Sequence, residues 1–169
     1  MGKSNSKKTL QRRNVFLSLM GVSIIAVAIL LYTTRPLYIS ISDMETGEEL
    51  YGTRIEDGER FSVTYIHSVE RSPVKEVFEA RGTDIFTMES HTESFGAGMP
   101  YEGEVMEVKN GKFIISDINR PVHGGSLRIR PSSAFPHHIL IGDDDIVISD
   151  APFKGRNLEV EITRTFFKR

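Results

Sequence analysis

A histidine, a serine and two glutamates fall within ten positions of one another: His67, Ser68, Glu70 and Glu76. Imidazole and carboxylate side chains brought together can ligate a divalent cation, move a proton or hold a small polar ligand. Whether they meet depends on the chain between them. Ser72-Pro73 calls for a turn, because the residue before proline is kept out of the helical region. A loop over 70–73 sets Val69 opposite Val74, His67 opposite Glu76, Tyr65 opposite Phe78 and Val63 opposite Ala80 in an antiparallel ribbon. One face then carries Val63, Tyr65, Val69, Val74, Phe78 and Ala80 with His67 and Glu76 among them. The other carries Ser62, Thr64, Ser68, Lys75 and Glu79. A slip of one residue destroys this segregation.

Directly opposed side chains sit about 5 Å apart at Cβ, so this register makes His67 and Glu76 a pair on the core-facing surface. Two readings follow. In one, His67 satisfies a carboxylate that is costly to bury alone. In the other, the pair is half of a site for a metal or a small polar ligand, with Glu70 able to bend toward either partner. Ser68 points to the opposite face from His67 and is not its nucleophile.

Other residues are weaker candidates. Glu89, His91 and Glu93 alternate along one strand face and could ligate a cation, but a solvated face opposite Phe86 and Met88 is the expectation. Gly96 and Gly98 lie in a glycine-rich loop, 94–100, that lacks the lysine and following helix of a phosphate cradle. A tight structural turn and an anion-binding loop are equally consistent with it. His137 and His138 point to opposite faces of a strand and cannot share a metal. Asp143, Asp144 and Asp145 lack calcium-loop spacing and read as a solvated turn. Arg120, with His123 nearby, could recognise a carboxylate or be a surface arginine.

The elements that must position these residues are short strands. Leu158, Val160 and Ile162 alternate with polar residues, as do Leu127 and Ile129, Ile39 and Ile41, and Phe61, Val63, Tyr65 and His67. Asn110-Gly111 marks a tight hairpin, Gly142 to Asp145 a second, and Thr46-Gly47 and Asp57-Gly58 further turns. About ten such strands, with no helical periodicity after residue 35, indicate an all-β fold, an antiparallel sandwich or small barrel.

Ahead of this domain, 21 residues from Asn14 to Thr34 carry no charge. As a helix they span about 31 Å, the thickness of a bilayer's hydrocarbon core. Before them stand Lys3, Lys7, Lys8, Arg12 and Arg13 and no acid. From Arg35 onward, 16 basic residues face 23 acidic ones, a formal charge of −7. The expected organisation is a basic cytoplasmic tail over 1–13, an uncleaved transmembrane signal-anchor over 14–34 and an extracytoplasmic β domain over 35–169. The competing reading is a signal peptide cleaved near Ala26-Val27-Ala28, but Ile29, Leu30 and Leu31 continue the apolar run beyond it. The acidic domain argues against nucleic acid. The absence of cysteine excludes disulfides, thiolate sites and lipid acylation of a cysteine.

His67, Ser68 and Glu70 followed by Ser72, Pro73, Lys75 and Glu76, then Ser94, Phe95, Gly96, Gly98 and Pro100, resemble the signature of the domain of unknown function 1850. The resemblance runs from about Leu37 to the C-terminus, and Arg120 falls where that family tends to carry an arginine. Its members are often encoded beside tripartite ATP-independent carboxylate transporters with a TAXI-class receptor. The resemblance implies an accessory role in solute uptake, with the cytoplasmic membrane and a transporter's membrane subunit or solute receptor as partners. It implies a functional cluster at His67, Ser68, Glu70, Glu76, Gly96, Gly98 and Arg120, without roles. The expectation is a non-enzymatic accessory protein with no cofactor and no assigned catalytic or metal-ligating residue. The alternatives are a metal-dependent hydrolase, or a free-standing ion- or solute-binding module, using His67, Glu70 and Glu76.

Overall fold

The computed structural model describes residues 3–93, 105–109, 112–132 and 134–165. It divides into two compact units, residues 1–35 and 36–169. The first is one helix, α1 (Lys3–Thr33). Within it, Asn14–Tyr32 has a mean hydropathy of 2.6 and none of it is buried, so the helix is long and apolar enough to cross a membrane. The helix starts well before the apolar run and ends where expected. Thr34 turns its hydroxyl back to the Leu30 carbonyl at 2.9 Å, and Pro36 cannot continue the ladder.

Among the described residues, the second unit is built of twelve strands in two antiparallel sheets, a sandwich. The smaller sheet runs β2 (Glu49–Ile55), β1 (Leu37–Asp43), β12 (Leu158–Arg164), β9 (Leu127–Ile129). The larger runs β11 (Asp144–Val147), β10 (His137–Ile141), β3 (Arg60–Ile66), β4 (Pro73–Arg81), β5 (Asp84–Thr92), β7 (Lys112–Ser116), β6 (Val105–Lys109). A two-residue strand, β8 (Arg120–Pro121), hangs on β5. The first and last strands of the unit pair along their whole length, Leu37 with Arg164 through Asp43 with Leu158.

Period-two alternation decides which side chains fill the space between the sheets. Ile39 and Ile41 from β1 and Leu158, Val160 and Ile162 from β12 supply one wall of the core. Phe61, Val63, Phe78, Ala80, Ile85, Ile139 and Ile141 supply the other. Branched aliphatics suit this half-buried pleated surface. Phe61 and Phe78, directly opposed across β3 and β4, stack with centroids 5.4 Å apart.

Three local expectations are corrected. Tyr65 pairs with Val74, Val63 with Glu76 and Phe61 with Phe78, so His67 does not face Glu76. The reversal takes six residues, His67 to Ser72, rather than four. The His67 N–H donates to the Ser72 carbonyl at 2.9 Å, Arg71 N–H to the His67 carbonyl at 2.8 Å, and Arg71 adopts a φ of 52°. Pro73, with no N–H to donate, fits as the first residue of its strand, opposite Ile66. The shift moves pairing by an even number of residues, so the faces survive while the partners change. Second, the β4–β5 register slips between Val77 and Phe78. That bulge puts Phe86 on the same outer face as Glu89 and His91 rather than opposite them. Third, Ile141 pairs with Asp144, which narrows the expected turn over 142–145 to Gly142 and Asp143.

Candidate functional site

The inner face of β4 carries Val74, Glu76, Phe78 and Ala80 in succession, and three of these are apolar core or core-edge residues. Glu76 therefore lies in a wall that alternation makes apolar, flanked by Val63 on β3 and Ser90 on β5. No hydrogen bond or ion pair from a described residue reaches its carboxylate, and burial alone raises its proton affinity above that of an ordinary glutamate. Tyr65, next along the neighbouring strand on the same face, stacks on His137 with centroids 5.1 Å apart. Its phenol is pushed up to about 12, first by burial and then by the charge on Glu76.

Glu76 opens onto a cavity of about 750 Å³ between the sheets. Its floor is Phe78 and Thr87, from β4 and β5. β8 brings its far rim into place: Thr87 pairs with Arg120 and Phe86 with Pro121. Val122 N–H then donates to the Ile85 carbonyl at 2.8 Å, and a single turn at His123–Gly125 swings the chain over the opening toward β9. Gly124, at φ 78° in that turn, holds a backbone conformation that other residues adopt at a cost. Arg120, His123 and Gly124 line the rim, and Leu127 closes the side nearest the small sheet. The volume is that of a small-molecule site, with an acid, a cation, an imidazole and a hydroxyl set among apolar side chains.

The residues singled out from the sequence divide accordingly. Glu76 and Arg120 meet in the lining of one cavity, and His123 joins them there. His67, Ser68 and Glu70 lie in the β3–β4 turn, where the Glu70 N–H donates to His67 Nδ1 at 3.2 Å. Four residues of strand, about 13 Å, separate the position of His67 from Val63, the partner of Glu76. Gly96 and Gly98 lie outside the described residues, as does Asn110-Gly111, although Lys109 pairs with Lys112 around the latter.

Glu89 and His91 bind each other at 2.9 Å, Arg60 reaches Glu89 at 2.9 Å, and Lys112 lies 3.5 Å from Glu93. His138 bonds Asp145 on the face opposite His137, at 2.8 Å. Among the described residues no three His, Asp or Glu side chains cluster as metal ligands. Thr87 and the apolar side of the cavity were not singled out by sequence reasoning. The β8–β5 pairing that creates them involves two residues and leaves no periodic trace.

Neither curated proteins nor solved structures offer a match to this chain. The model of the family described as Domain of unknown function (DUF1850) matches residues 61–148, from the second residue of β3 through β11 and with it all of the described cavity lining. With just over half of its length matched, the chain belongs to that family.

Proposed function

We propose that the protein is a membrane-tethered solute-binding accessory, seated outside the cytoplasm and serving a tripartite ATP-independent transporter. The observation that carries the binding role is Glu76: an acid with no partner among the described residues, in an apolar wall, at the mouth of a cavity rimmed by Arg120 and His123. An acid kept there without a partner costs stability, and sites that bind ligands are where such costs are retained. The tether rests on the apolar helix over Asn14–Tyr32, and the orientation on the basic residues that precede it. The transporter rests on the family resemblance.

The hydrolase alternative required His67, Glu70 and Glu76 to converge, and the β3–β4 register holds His67 and Glu70 in the turn, away from Glu76. A tether confines the domain to a thin layer and raises its effective concentration near any membrane complex.

The test has two parts. An export-dependent reporter fused after Arg169 is expected to be active; activity of a cytoplasm-only reporter there reverses the orientation. The full chain, extracted in detergent, is expected to copurify with the transporter's subunits, and its deletion to lower uptake. Glu76→Gln and Arg120→Ala are expected to lower uptake with copurification intact. Normal uptake in the deletion strain, with no copurifying subunit at low salt, leaves a free-standing binding module in its place.

A further inference from the structure

The large sheet holds a second concavity, about 510 Å³, lined chiefly by outer-face side chains of β3 and β4 and also by Tyr65 and Val74. Strand register builds it. His138 on β10 opposes Thr64 on β3, Thr64 opposes Lys75 on β4, and Lys75 opposes His91 on β5. The four side chains form one transverse row about 14 Å long, three strand spacings. Ile66 and Pro73, an opposed pair one step further along the same face, join Pro136 as an apolar bed beside the row. Lys112 stands at one end, and no acidic residue lines the groove among the described residues.

The charges along the row are compensated unequally. His91 is held by Glu89, His138 by Asp145 and Lys112 by Glu93, at 2.9, 2.8 and 3.5 Å. Lys75, in the middle, has no carboxylate partner among the described residues. Beside it the Thr64 hydroxyl is a second donor, with Cβ atoms about 5 Å apart. A positive charge with no carboxylate partner among the described residues, a hydroxyl on the directly opposed residue and an apolar bed alongside define a ligand. We propose that this groove is a binding site for a small organic monoanion, a carboxylate on an apolar stem. Lys75 and Thr64 hold its two oxygens, and the stem lies on Ile66, Pro73 and Pro136. A dianion such as phosphate leaves one charge unmatched and makes no use of the bed. No described residue lines both this groove and the Glu76 cavity.

Phenylacetate is the probe, titrated by calorimetry against the full chain in lipid nanodiscs, with the uncharged isostere phenylacetamide and inorganic phosphate in parallel. Saturable binding of phenylacetate is expected, with both comparators at least tenfold weaker. Lys75→Met keeps most of the stem and removes the charge. It is expected to weaken phenylacetate binding by about tenfold to a hundredfold, the range for a lost charge-assisted hydrogen bond. Thr64→Val is expected to weaken it less, and Glu76→Gln not at all. Retained circular dichroism of each variant guards against misfolding. The proposal is overturned by equal binding of phenylacetamide or phosphate, by absence of saturable binding, or by loss of binding in Glu76→Gln with Lys75→Met unaffected. That last result moves the anion to the inner cavity and leaves the solute-binding reading standing.

Discussion

Glu76 and Glu79 lie three residues apart on β4, on opposite faces of the same sheet, and the molecule treats them in opposite ways. Glu79 points outward between two arginines, with Arg81 Nε at 2.7 Å and Arg60 Nε at 3.3 Å. Its carboxyl is held below the usual glutamate range, chiefly by the hydrogen bond from Arg81. Glu76 points inward to apolar neighbours and a cavity, and burial raises its carboxyl. An acid on the outer face is a structural partner. The inner one has no partner among the described residues and lines a cavity. This difference separates the site from the rest of a heavily charged surface.

The comparison can be broken at its foundation by removing the apolar wall. Phe78, buried and stacked on Phe61, supports the inner face directly beneath Glu76. Phe78→Ala is expected to cost about 3–5 kcal/mol, read as a fall in the urea midpoint. A much smaller loss means that the inner face is not the packed wall described. Next in size is the pH response of Glu76. A raised carboxyl means that the folded form holds its proton to higher pH than the unfolded chain. Stability therefore falls as pH rises through the raised value and is recovered below the ordinary glutamate range. Glu76→Gln is expected to abolish that slope and to be no less stable than the wild type at neutral pH. A loss of stability at neutral pH in this variant shows a hidden partner for the charge.

Glu79→Gln runs the other way and is smaller. A lowered carboxyl contributes stability above the ordinary glutamate range and loses it as pH falls through the lowered value. Because Arg60 is half exposed, the loss at neutral pH should stay within about 1 kcal/mol and shrink with salt. The smallest effect belongs to the turn. Val69 is 78% exposed at the tip of the β3–β4 reversal, so Val69→Ser should change stability by no more than about 0.5 kcal/mol. A large loss there restores the register in which Val69 packs opposite Val74.

What the sequence made legible follows the same division. Alternation placed Val63, Tyr65, Val74, Phe78 and Ala80 on one face and Thr64, Lys75 and Glu79 on the other, because period two is written in the side chains themselves. The sandwich class and the apolar helix were readable for the same reason. Register was not, since it depends on how many residues the reversal consumes. That number was set by the His67 ring accepting the Glu70 N–H and by the left-handed turn at Arg71, neither of which a residue pattern announces. The bulge that moves Phe86 outward is likewise a backbone event. Arg120 and His123 were noticed as a candidate carboxylate reader, but their place opposite Glu76 depends on a two-residue strand.

The most direct test is a titration of the carboxyl carbons by nuclear magnetic resonance on the full chain in nanodiscs, with Glu76→Gln and Glu79→Gln assigning the two signals. The account predicts that Glu76 titrates above the ordinary glutamate range and Glu79 below it. Glu76 titrating together with Glu79, or at lower pH, would contradict it.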